Sequence, residues 1–330
     1  MKNLVKKAVL LILFLSLTAG MIVCPKRSLF YALTGLTLWY EKMIPALLPF
    51  MILSNLLIGL HLTDSFVFFL KPLLSRLFHL NGHGVYVIFI GFLCGFPMGA
   101  KVTADLYRRH LLSKTEAQNL LIFCNNIGPI YFTSFVLMLL QIKNPAPFLV
   151  GMYGIPFLYG IYLLRLRRPL LRLIAPFSPG KRRLRPELSA EVLPQQPQQS
   201  LLDILDDSIM SALSGIAKLG GYMVLFNLLN LLPDLLLSKN TCFLSLMTHL
   251  HIPVPVLLAA VNCLLEITSG ISRTGGHYPF LVLVLLPFGG FSCIAQTYSM
   301  IKGTDLSLGK YVYHKCILTL LTALYYLLIL

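Results

Sequence analysis

Apolar runs separated by short polar stretches dominate this sequence. A membrane-spanning helix needs about 20 mostly apolar residues. Runs of that kind occur at roughly 8–24, 44–60, 65–80, 85–100, 119–140, 146–164, 208–232, 242–265, 278–300 and 312–330. The run 65–80 carries Lys71 and Arg76, and others are cut by Gly or Pro. Ten is therefore an upper figure, because some runs can enter and leave on one side as re-entrant hairpins. The pattern predicts an all-α integral membrane protein of about 8–10 transmembrane or re-entrant helices.

One stretch departs from this pattern. Arg165, Arg167, Arg168, Arg172, Lys181, Arg182, Arg183 and Arg185 fall close together, and a Pro/Gln run follows at 194–199. Residues 165–200 are too polar to bury and too Pro-rich to be regular, so they read as a solvated linker. Their charge predicts the cytoplasmic side. The linker divides the chain into an N-terminal anchor helix (1–27), a first membrane repeat (28–164) and a second (201–330).

Lys2, Lys6 and Lys7 precede the first apolar run, in which Thr18, Ala19 and Gly20 give a signal peptide's small-residue end. Because the chain that follows is itself membrane-spanning, an uncleaved first helix is expected. A cytoplasmic N-terminus puts the polar segment 101–118, the linker and the C-terminus on the same side, and leaves Lys26 and Arg27 outside. The two halves look alike. Each opens with a long, partly polar helix (31–60, 203–232). An apolar segment broken at glycines comes next (94–101, 262–276), then another Gly-interrupted one (119–140, 278–300). The extra leading helix gives the halves opposite orientation, the inverted-repeat plan of many secondary transporters.

Composition narrows the function. Of 330 residues, 57% are hydrophobic and 12% charged, where soluble domains carry about 25% charged residues. So few charges cannot cover a water-facing surface of this length, and a soluble enzyme is excluded. The net charge of +15 sits largely beside apolar runs, as membrane topology requires, so no nucleic-acid partner is implied. Seven cysteines lie in apolar or near-apolar surroundings without a CxxC pair or zinc-like histidine spacing, so no metal is expected. No Walker loop, dinucleotide fingerprint, HExxH or GxSxG occurs. Catalysis, a cofactor and ATP-driven transport by this chain alone are not expected.

Three stretches carry candidate chemistry. In Gly91–Lys101, glycines and Pro97 break a helix at the end of an apolar run, and broken backbone at membrane depth must be buried in protein or line a cavity. A helix restarting after Pro97 would turn free N–H groups towards the break, which suits an anion, with Lys101 adding a full charge. Gly95, Phe96, Pro97, Gly99, Ala100 and Lys101 are therefore candidate substrate contacts. Glu266, followed by Thr268 and Ser269, ends an apolar run, and a carboxylate near a membrane usually faces a cavity or a partner. It could bind a cation or coupling proton, or accept from a substrate hydroxyl. The third stretch holds Asn125 and Asn126 before Gly128-Pro129. Their amides suit a neutral or carboxylate ligand, and suit interhelical hydrogen bonds equally well. Gln296, beyond Gly289-Gly290, is the matching polar residue of the second half.

With these motifs the sequence resembles the YlbJ or SpoVV family of sporulation integral membrane proteins, within the wider nucleoside-recognition or Gate-domain membrane proteins. The resemblance rests on Gly-Phe-Pro-Met-Gly-Ala-Lys at 95–101, Asn-Asn-Ile-Gly-Pro at 125–129 and Asp207 to Phe226 with its Ile-Ala-Lys-Leu-Gly-Gly core. Glu266-Ile-Thr-Ser-Gly270 and Phe288-Gly-Gly-Phe291 followed by Gln296 complete it, so that the matches span roughly 30–320. It implies an endospore former, the outer forespore membrane, movement of dipicolinic acid towards the forespore and a fold related to concentrative nucleoside transporters. The expected partners are then a small anion, the bilayer and a coupling proton or sodium ion, with a homo-oligomer left open. A nucleoside transporter and a non-transporting scaffold acting through the basic linker are the alternatives.

Overall fold

The computed structural model describes residues 2–166, 200–239, 247, 249 and 253–330. Most of the basic linker (167–199) and the start of the apolar run 242–265 lie outside the described residues. Among these residues there is no strand, and six helices are long and apolar enough to cross a membrane. The first half contains α1 (Lys2–Val23), α2 (Pro25–Gly59), α3 (Lys71–Phe78), α4 (Gly82–Cys94), α5 (Met98–Arg108), α6 (Lys114–Cys124), α7 (129–137) and α8 (Ala146–Leu166). The second contains α9 (Leu201–Leu229), α10 (Leu231–Lys239), α11 (Val254–Leu265), α12 (Ile267–Thr274), α13 (Pro279–Leu285), α14 (Gly290–Ile301) and α15 (Leu308–Ile329).

Two pairs of helices turn back instead of crossing. Before α4, Asn81 Nδ2 donates to Leu111 O (3.2 Å), and after α5, Arg109 donates to Ile58 O (3.1 Å). Both ends of α4–α5 therefore lie at the end of α2, making a re-entrant hairpin with its tip at Gly95–Pro97. The second hairpin is α11–α12, with its tip at Glu266. Its returning end reaches the opposite side of the protein, where the Arg273 guanidinium lies 4.1 Å from the Tyr31 ring centroid. The bonding of backbone groups permits this, because each arm is helical and the interrupted tips are buried among other helices.

Ion pairs and hydrogen bonds fix the two ends of the bundle. At the linker face, Asn55 Nδ2 donates to Ser208 O (2.9 Å), Lys114 pairs with Asp305 (2.5 Å), and Ser307 N donates to Gln118 Oε1 (2.7 Å). At the distal face, Arg27 pairs with Asp234 (3.5 Å) and Tyr325 OH donates to Pro147 O (2.9 Å). The basic segment 109–118 and the linker flanks share one face, in line with the charge pattern.

The sequence reading needs correction at two points. The runs 65–80 and 85–100 are not two spans: α3 and α4 meet at a 99° bend, and α4 continues only into the hairpin tip. A hairpin adds no crossing and two spans add an even number, so the parity of the basic regions survives. The C-terminus, expected on the linker side, lies at the distal face: α15 starts beside Gln118 and ends where Tyr326 OH donates to Phe148 O (2.9 Å). Because α11–α12 returns to its own side, the described second half crosses as α9, α13–α14 and α15, an odd number.

The element order of the two halves corresponds. A long helix (α2, α9), a short helix (α3, α10), a hairpin (α4–α5, α11–α12), a span with a broken middle (α6–α7, α13–α14) and a plain span (α8, α15) follow in turn. The repeats are inverted, and α2 and α9 pack against each other over much of their length. Their seam is close because Gly35 and Gly220 sit against the partner helix, the latter under the Trp39 indole. A π turn, Trp39–Met43, widens α2 at that level.

Candidate functional site

The tips of the hairpins and the breaks of the interrupted spans meet in the middle of the bundle. Gly95 has φ +80°, and a Cβ there would fall on the Gly128 amide in the break between α6 and α7. Glycine is required twice over, by the left-handed backbone and by the contact. The second half repeats this: Gly290 (φ +76°) opens α14, and a Cβ there would sit 2.9 Å from the Cys263 carbonyl near the other tip. The Phe96–Pro97 peptide is cis.

Beside this crossing lies a cavity of about 250 Å³. On such a measure a single water needs about 10–15 Å³, so a small ring-containing solute fits. Its walls are largely apolar, from Leu47, Phe50, Leu219 and Met223, while Lys42, Tyr131, Glu266, Thr268 and Gln296 supply polar groups. Lys42 and Met43 belong to the π turn of α2, whose extra residue brings them to the wall.

Glu266 is 1% exposed. Its carboxylate accepts from the backbone N–H of Thr268 (3.2 Å) and Ser269 (2.7 Å), capping α12, and from Asn227 Nδ2 of α9 (3.4 Å). A helix N-terminus is a favourable place for that negative charge. Around it Asn227 Oδ1, Asn262 Oδ1 and Ser269 Oγ are buried without hydrogen-bond partners among the described residues. Gln296 donates to Ser292 Oγ (2.9 Å) one turn earlier on α14.

The sequence-derived candidates divide into two groups. Phe96, Glu266, Thr268 and Gln296 line the cavity together. The others are spent on holding the crossing. Asn125 donates to Thr297 Oγ1 (2.9 Å) and Tyr311 OH (3.0 Å) and accepts from Ala100 N (3.3 Å). The free N–H at the start of α5 is thereby used internally. Gly99 packs against the Cys124 carbonyl, and Ser269 is fully buried behind Glu266. Asn126 donates to Phe123 O and accepts from Lys315 Nζ (2.8 Å). The interhelical reading of the two amides is the one the contacts fit.

Lys101 also differs from expectation. Only 6% exposed, it donates to Asp105 Oδ2 (2.7 Å) and Asn55 Oδ1 (2.5 Å), away from the cavity. Asp105 and Asn55 line a second, polar cleft of about 290 Å³ at the linker face, with His61, Arg108, Arg109 and Asp207. Both cavities lie on the seam between α2 and α9. Between them the seam is filled by Met51, Ala212 and Ile216, all buried, with the Met51 methyl over Gly215. From Ser211 to Leu219 this plug occupies about 12 Å of α9.

Sequence reading passed over one residue. Lys315, on α15, is fully buried, with its ammonium 5.0 Å from the Phe96 ring centroid and 5.6 Å from that of Tyr311. A lysine inside an apolar helix was the available signal.

The sequence matches known proteins along most of its length. Residues 41–156, from the π turn through both breaks of the first half, match the family described as Gate: Nucleoside recognition. The chain is also 31% identical over 324 residues to the sporulation integral membrane protein YlbJ of Bacillus subtilis (strain 168), covering 92% of this chain and 78% of that protein. No solved structure matches.

Proposed function

This chain belongs to the family of the sporulation integral membrane protein YlbJ, and from that membership and the site's geometry we propose that it is a secondary transporter or facilitator for a small anionic solute, dipicolinate first. The observation that carries the reading is Glu266: a carboxylate in the middle of a membrane bundle, at a hairpin tip, facing a cavity where broken helices cross. An ionisable group in that setting costs several kcal/mol, which is why such residues usually mark a substrate or ion pathway. The outer forespore membrane is the proposed location.

Glu266 and an anionic cargo repel each other, and this supplies the coupling. A proton or sodium ion bound at Glu266 removes the repulsion, so the two ligands bind better together than apart. The unpartnered oxygens of Asn227, Asn262 and Ser269 are suitable neighbours for such an ion, since hard cations take oxygen ligands. The two cavities on one seam, separated by the Met51 plug, support alternating access between the faces. A nucleoside is the second reading, favoured by the Gate match, with Glu266 accepting from ribose hydroxyls.

The test is uptake of labelled dipicolinate into proteoliposomes of the purified protein, with Glu266→Ala as control. Gradient-driven uptake that the variant loses while staying monodisperse is the expected result. Uptake of uridine in place of dipicolinate would transfer the assignment to the nucleoside reading. No uptake of either under proton or sodium gradients would defeat transport and favour a membrane scaffold.

A further inference from the structure

Lys315 has no place in the transport scheme above, yet a cation is costly to keep inside a membrane bundle. It is fully buried on a membrane-spanning helix. An ammonium carries three N–H donors, and one is taken here, by the Asn126 amide oxygen at 2.8 Å. Among the described residues no carboxylate pairs with it: the ion pairs there are those of Arg27, Lys71, Lys101, Arg108 and Lys114. The faces of Phe96 and Tyr311 offer weaker compensation. Lys101, by contrast, has a carboxylate partner in Asp105, which it shares with Arg108.

The surroundings of Lys315 show where a counter-charge would come from. Phe96 stands between the ammonium and the cavity: one contact of its ring is Lys315, another is Gly289 in the break before α14, and the residue itself lines the cavity. The lysine is therefore one aromatic side chain away from the space where a solute binds. Asn126, its one acceptor among the described residues, sits in the break of α6–α7, where backbone can move without breaking a helix ladder. We propose that Lys315 is the cationic anchor of the transport site, taking a carboxylate of a small aromatic solute as Phe96 swings from the ammonium onto the solute's ring. This rests on the proposed site but makes a separate claim: the site's preference for an anion is set by Lys315, and not by Lys101 or Lys42.

The experiment measures equilibrium binding to the full-length protein in detergent for two ligands of one shape, dipicolinate and its neutral diamide, pyridine-2,6-dicarboxamide. The wild type is expected to prefer the dianion by at least about tenfold. Lys315→Met should abolish that preference while changing diamide affinity by less than about threefold, and Lys315→Arg should restore much of it. A loss of packing alone would weaken both ligands together and overturn the proposal, as would a Lys315→Met protein that discriminates like the wild type.

A second readout does not depend on that variant folding. Labelling of Lys315 by a small amine-reactive reagent, mapped by mass spectrometry, should accelerate in Phe96→Ala and be suppressed by dipicolinate. Labelling that dipicolinate leaves unchanged overturns the proposal. A wild type that carries uridine but binds no carboxylate also overturns it and leaves transport standing. Charge discrimination without any uptake defeats transport and leaves this assignment standing.

Discussion

The two hairpins are built to one plan and carry opposite chemistry. In the first, the tip Gly95-Phe96-Pro97 is uncharged, and the first charge along the hairpin's own chain, Lys101, pairs with Asp105 one turn further along α5. In the second, the charge is the tip itself: Glu266 caps its own returning helix and faces the cavity. One hairpin uses its lysine to brace a helix against α2, and the other sets a buried carboxylate in the wall of the cavity. Duplicated architecture fixes where a chain breaks, while the residues at each break decide which copy offers a charge to the cavity and which supports the fold.

The comparison fails most visibly if the tips can be filled. Gly95→Val adds a Cβ against the Gly128 backbone at φ +80° and should cost roughly 4 kcal/mol or more, leaving little monodisperse protein in size-exclusion chromatography. Recovery of well-folded Gly95→Val protein would mean that the crossing is looser than described.

The next test separates brace from binder. Lys101→Met leaves Asp105 with Arg108 as its remaining cation and removes the donor from Asn55 Oδ1, so it should cost about 1.5–3 kcal/mol, read as a lowered midpoint of thermal unfolding. Uptake per folded molecule should persist. Glu266→Gln should cost a comparable amount, about 1.5–3 kcal/mol for its charge-assisted hydrogen bonds, but bring uptake down by about a hundredfold. If both variants lose uptake equally with unfolding unchanged, the division of labour is wrong.

The smallest effect is expected at the mouth of the first hairpin, where Asp305 accepts from Lys114 Nζ and Tyr107 OH. The hydrogen bond from Lys114, then that from Tyr107, holds its carboxyl below the ordinary carboxylate value. A depressed value in the folded state means that the stabilisation is complete at neutral pH and persists down to the ordinary carboxylate range. It is lost as pH falls through the depressed value. Asp305→Asn should therefore lower the unfolding midpoint slightly at pH 7 and leave it unchanged at strongly acidic pH. The group is fully exposed, so added salt should shrink even that difference.

Much of this layout was legible in the sequence because broken helices leave local marks. Gly-Phe-Pro-Met-Gly-Ala-Lys announced the first tip, and Glu266 announced the second. Re-entry was less visible: whether α5 crosses or returns is decided by the docking of Asn81 on Leu111 and Arg109 on Ile58, contacts between residues distant in sequence. The same limit misplaced the C-terminus. Lys101 misled for a different reason, since its neutralising partner was present at i+4, a spacing that pairs charges on any helix. Lys315 was readable as a charge within an apolar run, but Asn126 and Phe96 come to it from breaks some 190 and 220 residues earlier.

The single tryptophan of the chain, Trp39, lies on the π turn at the edge of the cavity wall, with its indole over Gly220 and Nε1–H donating to Ile216 O at 2.8 Å. It spans the two long helices at the level where the cavity gives way to the plug. The protein consequently carries its own optical gauge: a sliding of one repeat against the other changes the polarity around one indole, and the sequence holds no second indole to blur it.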